Sequence, residues 1–344
     1  MPLTHQETNR RTSEIDTSPT VTICMPVYNG KTFLPRAFES LAAQTFKDFE
    51  ILIVDDGSTD GSAAQAEELL VRHELHGTVI RIANGGPEHA RDIARAHAQG
   101  KIIAHLDCDD TWDPSYLMIM CGILRSHPKV DLVYCDFIQE SDDGQTTLKS
   151  EISPWIDLTQ ATRDGDLYCY PQGGFFKLLL SGQVLFPSCT IYTSELATRT
   201  GPYTEVLADV RTSLDWCFGL RASRTGTIAF LNRPLARRYL HKNNISGDLV
   251  RTTGSNVRVL DWILSDRTLS KDERRIARAR GAMISIWACD ITLRVNRRHW
   301  LAIKWALTSL RFRFNWKAVR LLALTSVPRF VVDGARKLQG IARA

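Results

Sequence analysis

An α/β fold, a mostly parallel sheet covered by helices, is predicted by two features of this 344-residue chain. Apolar runs of strand length alternate with stretches of helical periodicity through residues 21–130, the order that sets parallel strands side by side under helices. The second strand is also apolar at nearly every position, which in a βαβ setting means burial on both faces. Val21-Thr22-Ile23-Cys24-Met25-Pro26 is the first strand and breaks at Tyr28-Asn29-Gly30. A helix follows over Phe33–Gln44, with Phe33, Ala37, Leu41 and Gln44 near helical spacing. Glu50–Val54 is the second strand and ends in the polar turn Asp55-Asp56-Gly57-Ser58-Thr59-Asp60-Gly61, which leads into a helix over Ala63–Arg72. Val79–Ile82 makes a third strand, Glu88–Gln99 a third helix and Lys101–Leu106 a fourth strand. From 131 to 249 the pattern is less regular, with an aromatic, Gly/Pro-rich loop at Tyr168–Phe176, and 255–344 reads as three or four helices.

The fourth strand delivers three carboxylates in four residues, within Asp107-Cys108-Asp109-Asp110-Thr111-Trp112-Asp113-Pro114. Packed carboxylates repel one another and resist desolvation, so such a cluster at a strand end calls for a countercharge. Hard oxygen ligands suit Mg²⁺ or Mn²⁺, shared with a substrate diphosphate. An acidic turn on a solvated surface is the plainer alternative. In open α/β sheets ligands gather beyond the carboxyl ends of the strands, where Pro26-Val27-Tyr28, Asp55-Asp56 and Asp107–Asp109 all fall. One site can collect all three.

Composition narrows the class. The eight cysteines include no Cys-x-x-Cys pair and sit in apolar segments, which fits reduced, packed thiols in a cytoplasmic chain. Residues 1–20 are polar, with Arg10-Arg11 and no apolar core, and read as a disordered tail. No run of about 18 apolar residues marks a membrane span. The net charge of +5 hides an asymmetry: residues 250–344 carry 20 Lys+Arg against 6 Asp+Glu, a balance of +14 that leaves −9 for the rest.

Taken in order, Met25-Pro26-Val27-Tyr28-Asn29, Gln44-Thr45, Val54-Asp55-Asp56-Gly57-Ser58-Thr59-Asp60, Arg91 with Asp92, and Leu106-Asp107-Cys108-Asp109-Asp110 resemble glycosyltransferase family 2. The likeness continues faintly through Gly201-Pro202-Tyr203 and Asp215-Trp216 to His241–Ser246, and lapses after about 250. It implies a GT-A fold: a Rossmann-like mixed sheet binding a nucleotide-diphosphate sugar. The donor side would span 21–130, the acceptor side 131–249, and a basic helical extension 250–344. By the same resemblance Pro26 and Tyr28 line the base pocket and Asp56, with Asp55 beside it, accepts the base's imide N–H. Arg91 offsets diphosphate charge, Asp107 lies at the sugar or ribose, Asp109 binds Mn²⁺ or Mg²⁺, and His241 approaches the metal or diphosphate. Inverting transfer also needs a base for the acceptor hydroxyl. Asp215 fits it, with Asp209 as the rival that can instead cap a helix.

Departures stand out: Asp92 where Asn is usual, Tyr239 where Arg is common, and Leu214 and Cys217 around Asp215 where acids are expected. The Gln-x-x-Arg-Trp signature of processive members is missing, so single addition is expected, to a glycan or lipid-linked acceptor in cell-surface polysaccharide or lipopolysaccharide assembly. UDP is the expected nucleotide. A catalytically inactive nucleotide-binding or scaffold protein is the alternative. Asp107-Cys108-Asp109-Asp110-Thr111 also fits a haloacid dehalogenase phosphatase, but the later acid pair is missing, and no Gly-x-Gly-x-x-Gly supports a dinucleotide enzyme.

The tail, from Trp300 to Leu322, mixes Trp and Phe with Arg and Lys and resembles interfacial helices on anionic lipid. Residues near 299–332 are expected to form an amphipathic helix or helix pair, with Trp300, Trp305 and Trp316 at the cytoplasmic face of the inner membrane. The plainer alternative packs this stripe on protein. No nucleic-acid motif is present, and none is expected as a partner.

Overall fold

The computed structural model describes residues 19–149, 158–207, 210, 212–241, 244, 249–293 and 298–326. β1 (Val21–Val27), α1 (Leu34–Ala42), β2 (Phe49–Asp55), α2 (Ser62–Arg72), β3 (Gly77–Arg81), α3 (Pro87–His97) and β4 (Ile102–His105) follow the predicted alternation. β1 lies between β2 and β4, parallel to both, and β2 carries β3 on its other edge, again parallel. Side chains alternate cleanly across this sheet. Ile51 and Ile53 of β2 enter one core with Phe38, Leu41, Leu69 and Met120, whereas Leu52 and Val54 enter the other with Ala90, Ala94 and Trp216. Each such residue taken fully out of water contributes roughly 1.5–3 kcal/mol. The near-continuous apolar run is thus two interleaved faces.

Beyond β4 come β5 (Thr111–Trp112), α4 (Tyr116–Ser126), β6 (Leu132–Ser141), β7 (Thr146–Leu148), β8 (Thr162–Asp164) and β9 (Leu167–Tyr170). α5 (Gly174–Ser181), β10 (Thr190–Thr193), α6 (Ser194–Thr200), α7 (Leu214–Thr225) and β11 (Ile228–Leu240) complete the α/β part. The sheet has the order β3-β2-β1-β4-β10-β6-β11-β9-β8, with β5 paired to β11 and β7 to β6. β10 runs antiparallel to both β4 and β6, so the sheet is mixed, as the family resemblance implies, where the alternation alone read as mostly parallel. The segment with the least regular pattern holds the two longest described strands, β6 and β11. Their outer halves turn polar as they leave the core, and β11 shifts register around Pro234. That mixture hides them from periodicity.

Four helices follow: α8 (Leu249–Ser265), α9 (Lys271–Ile291), α10 (His299–Phe312) and α11 (Trp316–Ser326). α9 opens with a capping box in which Ser270 Oγ accepts the Glu273 N–H at 3.2 Å and the Ser270 N–H donates back to Glu273 Oε2 at 2.7 Å, worth about 1 kcal/mol. These helices share a core with the sheet: Leu260, Ile263, Ala277 and Ala288 belong to the cluster that includes Phe175, Leu179 and Trp216. Gly281 lets α10 close on α9, since a Cβ there would meet the Phe312 ring at 2.6 Å. The expected helix pair is present as α10 and α11, while 327–332 fall outside the described residues. Its stripe divides. Leu301, Ala302, Trp305 and Phe312 are buried, so Trp305 is a packing residue and not a surface one, whereas Trp300 and Trp316 are exposed.

Candidate active site

A cleft of about 460 Å³ opens along the carboxyl ends of β1, β2 and β4 and is closed by the start of α7, the end of β11 and the start of α8. Pro26, Tyr28, Asp56, Arg91, Asp107, Asp109, Asp215 and His241 all line it. Asp55 is the exception. As the last residue of β2 it is buried outside the lining residues, and its Oδ1 has no hydrogen-bond partner among the described residues. Consecutive strand residues point to opposite sides, so Asp55 and Asp56 do not share the pocket. Asp209 lies outside the described residues.

At the β1–β2 end, Tyr28 is half exposed and the loop around it is tied down. The Asn29 N–H donates to Ser58 Oγ at 2.9 Å, and Asn29 Oδ1 accepts the Thr59 N–H at 2.9 Å. Gly57 makes the turn at φ +75°, and a Cβ there would sit 3.0 Å from the Asn84 backbone nitrogen. Asp56 Oδ1 accepts the Gly85 N–H at 2.6 Å and Oδ2 the Gly86 N–H at 2.8 Å. The carboxylate therefore anchors the 84–86 loop while facing the cleft.

The acidic cluster has a divided structure. Carboxylate oxygens of Asp107, Asp109 and Asp110 come within 4.8 Å of one another. Asp110 is buried; Ser188 Oγ donates to its Oδ2 at 2.6 Å and the Tyr239 N–H to its Oδ1 at 3.3 Å. Burial, with the charges of Asp109 and Asp107, pushes its carboxyl well above the usual range. Asp107 pairs with Arg91, a buried residue of α3. Burial disfavours the guanidinium charge, but Asp107 and Glu88 more than offset this and raise its pKa. Asp109 Oδ2 meets His241 Nε2 at 3.0 Å and accepts from Asn244 Nδ2 at 3.0 Å, and the His241 ring stacks on Phe33 with centroids 4.3 Å apart. The fold thus brings together two groups 132 residues apart.

Across the cleft Asp215 stands in the first turn of α7. Its Oδ1 accepts the Trp216 N–H at 2.8 Å and its Oδ2 accepts from Gln183 Nε2 at 2.5 Å. Burial raises its pKa above the ordinary carboxylate value, with the Arg91 charge opposing. Ser213, just before α7, is held at φ +68° without a side-chain cap, a strained backbone of the kind that gathers at functional sites. Gln183, Glu88, Ser213, Arg238, Asn244 and Arg251 also line the cleft and were missed in sequence. Arg238, beside the Tyr239 departure, and Asn244, within the His241–Ser246 stretch, carried a signal.

Residues 22–196 match the family model for glycosyl transferase family 2. The chain belongs to this family. It is similar to the uncharacterized glycosyltransferase alr2836 of Nostoc sp. (strain PCC 7120), 30% identical over 154 residues that make up 44% of this chain and 48% of that protein. It is also similar to the hyaluronan synthase of Pasteurella multocida, 26% identical over 239 residues, 68% of this chain but 22% of that one. This family 2 chain spans about half the length or less of the curated relatives it matches. Among solved structures it resembles S. aureus TarS 1-349 in complex with UDP-GlcNAc, with a TM-score of 0.61 at 17% identity over 85% of this chain and 81% of that chain. It also resembles the mannosyltransferase PcManGT from Pyrobaculum calidifontis in complex with GDP-Man and Mn²⁺, with a TM-score of 0.55 at 18% identity over 89% and 79% of the two chains. The shared fold is GT-A.

Proposed function

We propose that this family 2 chain moves a sugar, with inversion, from a UDP-linked donor to a hydroxyl of a glycan or lipid-linked acceptor at the cytoplasmic face of the inner membrane. Cell-surface polysaccharide or lipopolysaccharide assembly is the setting this suits, and single addition the mode. One observation carries the proposal: a cluster of carboxylates and Asp215 face each other across a single cleft whose far end holds Tyr28 and Asp56. The two solved complexes, one with UDP-GlcNAc and one with GDP-Man and Mn²⁺, support a nucleotide-sugar donor.

The donor set fits a divalent cation. Asp107 and Asp109 offer hard oxygens with the His241 imidazole alongside, chemistry suited to Mn²⁺ or Mg²⁺. Asp110 has both oxygens committed to Ser188 and Tyr239, so its part is to hold the turn. Bound there, a cation would neutralise charge developing on the leaving diphosphate. Tyr28 offers its ring to the base, and Asp56 faces the same end. Arg91 pairs with Asp107 and aims it. Asp215 takes the proton of the acceptor hydroxyl as the acceptor oxygen bonds to the anomeric carbon. The bond from that carbon to the diphosphate breaks, and its electron pair leaves with the phosphate. The raised pKa of Asp215 makes it the stronger base, and Gln183 fixes the oxygen it would use.

The test combines melting and turnover. Among nucleoside diphosphates, UDP with Mn²⁺ or Mg²⁺ is expected to raise Tm most, since selective binding stabilises the fold. Asp109→Asn is expected to keep the fold and lose the metal-dependent part of that shift together with transfer. Full activity in Asp109→Asn, or in excess chelator, overturns the metal assignment; no shift with any nucleotide overturns the donor.

A further inference from the structure

Apart from Tyr28, Trp287, Trp300, Phe314 and Trp316 are the aromatic residues with large exposed surfaces among those described, and all four lie on the C-terminal helices or the loop joining α10 to α11. Three of them gather in one place. A groove of about 470 Å³ runs between α9 and the α10–α11 connection, with Met283, Ile286, Trp287 and Phe314 in its walls. Met283 is 52% exposed, Trp287 49%, Phe314 64% and the adjoining Trp316 75%. The Phe314 and Trp316 rings meet edge to face with centroids 5.3 Å apart. Their loop is braced: Asn315 Nδ2 donates to Ser309 Oγ and to the Arg313 carbonyl, each at 3.0 Å, while Asn315 Oδ1 accepts the Ala318 N–H at 2.8 Å. A rigid apolar edge is thus held in water, where soluble surfaces rarely keep large contiguous apolar patches without a partner.

We infer that this groove docks on an anionic phospholipid bilayer, which deepens the membrane location proposed above by assigning the contact to α9, the 313–315 loop and the start of α11. Arg313 and Lys317 line the groove beside the aromatic residues, against one acid, Asp290. The wider segment 250–344 carries +14 while the rest of the chain carries −9, a sequence charge balance that favours contact of this segment, rather than the rest, with a negative surface. Trp and Phe next to Arg and Lys match the headgroup boundary, where rings sit among the upper acyl carbons and cations meet lipid phosphates. A second copy of the chain is a poorer occupant. A two-fold contact would bring the same patch to itself, setting the Arg313 and Lys317 charges of both copies into one desolvated seam. Among the described residues no helix is long and apolar enough to cross a membrane, so the contact is one of surface and not of span.

The test uses the full chain in co-sedimentation with phosphatidylcholine vesicles and with vesicles containing about one-third phosphatidylglycerol. Binding is expected only to the anionic vesicles, and to fall at least about tenfold between low and high salt. Phe314→Ser with Trp316→Ser, and separately Arg313→Glu with Lys317→Glu, are each expected to weaken it at least about tenfold, with Tm and the nucleotide-induced shift in Tm unchanged. The second pair keeps the aromatic edge intact, so the charge contribution is read even if the first pair perturbs folding. Absence of binding to anionic vesicles, or binding that neither pair weakens, overturns the inference. So does a dimer in solution that either pair dissociates, which would make the groove a subunit contact. Because donor binding is read separately, loss of vesicle binding leaves the transferase proposal standing, and the converse also holds.

Discussion

Glu88 gives the most direct quantitative check on the cleft. It sits in the first turn of α3, buried, on the cleft wall near Arg91, Asp215 and Asp107. Burial pushes its carboxyl from the ordinary 4.5 up to about 7, with Arg91 opposing and Asp215 adding to the rise. A carboxyl whose pKa is higher in the folded state binds its proton more tightly there. Its contribution to stability is therefore full below about pH 4.5 and is lost as pH rises through about 7. Between pH 5 and pH 8 the loss is about 2–3 kcal/mol at 1.36 kcal/mol per tenfold change in proton affinity. Glu88→Gln keeps the shape and cannot titrate, so it escapes this loss. Unfolding entropy of about 2.1 cal/mol/K per residue converts the difference to about 3–4 °C in this 344-residue chain. Melting of both proteins in chelator, without nucleotide, is the assay. Relative to wild type, Glu88→Gln should gain about 3–4 °C on going from pH 5 to pH 8. A difference that stays constant within about 1 °C, or that moves the other way, would refute the assignment of a neutral acid beside Arg91.

Asp215→Asn should cost on the order of 10²–10⁴ in turnover, the usual worth of a general base, while the melting shift with nucleotide and metal is kept; equal loss of both would make Asp215 a binding group instead. Gln183→Ala should lower turnover by less than Asp215→Asn does, since it removes only the donor to Asp215 Oδ2, and an effect as large as that of Asp215→Asn would speak against that ordering. Gly57→Ala forces a side chain into φ +75° and against the Asn84 nitrogen, so it should destabilise the chain by about 1–3 kcal/mol and weaken nucleotide binding, read by urea denaturation and by the same melting shift.

Much of the cleft was legible because its parts are local. Strands read from apolar runs carry Pro26, Tyr28, Asp56, Asp107 and Asp109 at their ends, and the sheet order β2-β1-β4, all parallel, sets those ends side by side. Residues added by the fold were not legible. Gln183 reaches Asp215 across 32 residues with nothing local to mark it, and Asn244 reaches Asp109 across 135, a pairing that its place in the His241–Ser246 stretch does not reveal. Glu88 looks like an ordinary first-turn acid favoured by the helix dipole; only the closure of the cleft buries it. Asp55 was read with Asp56 because the pair is adjacent, and the pleat separates them. The antiparallel member of the sheet was legible only through the family resemblance, which implied a mixed sheet, and not from the alternation of apolar runs. Thr190–Thr193 is too short to declare a direction, yet as β10 it joins β4 to β6 antiparallel to both.

Three of the departures from the family pattern are each absorbed by a specific contact. Asp92 accepts the N–H groups of Tyr203 and Thr204 at 2.7 and 2.9 Å and the Thr204 hydroxyl at 2.8 Å. Two of these bonds fall on one oxygen, so an amide, with its single acceptor oxygen, would have to give up at least one of the three. Leu214, where an acid is usual, is buried in the core beneath α7, so it sets the start of that helix by packing and leaves Asp215 as the acid of that turn. Tyr239 lies under the Arg36 guanidinium, 3.2 Å from its ring centroid, and Arg36 in turn donates to the Asp109 carbonyl at 3.0 Å. The positive charge usual at 239 is thus moved to two neighbours: Arg36 holds the Asp109 turn from behind, and Arg238 lines the cleft in front of it.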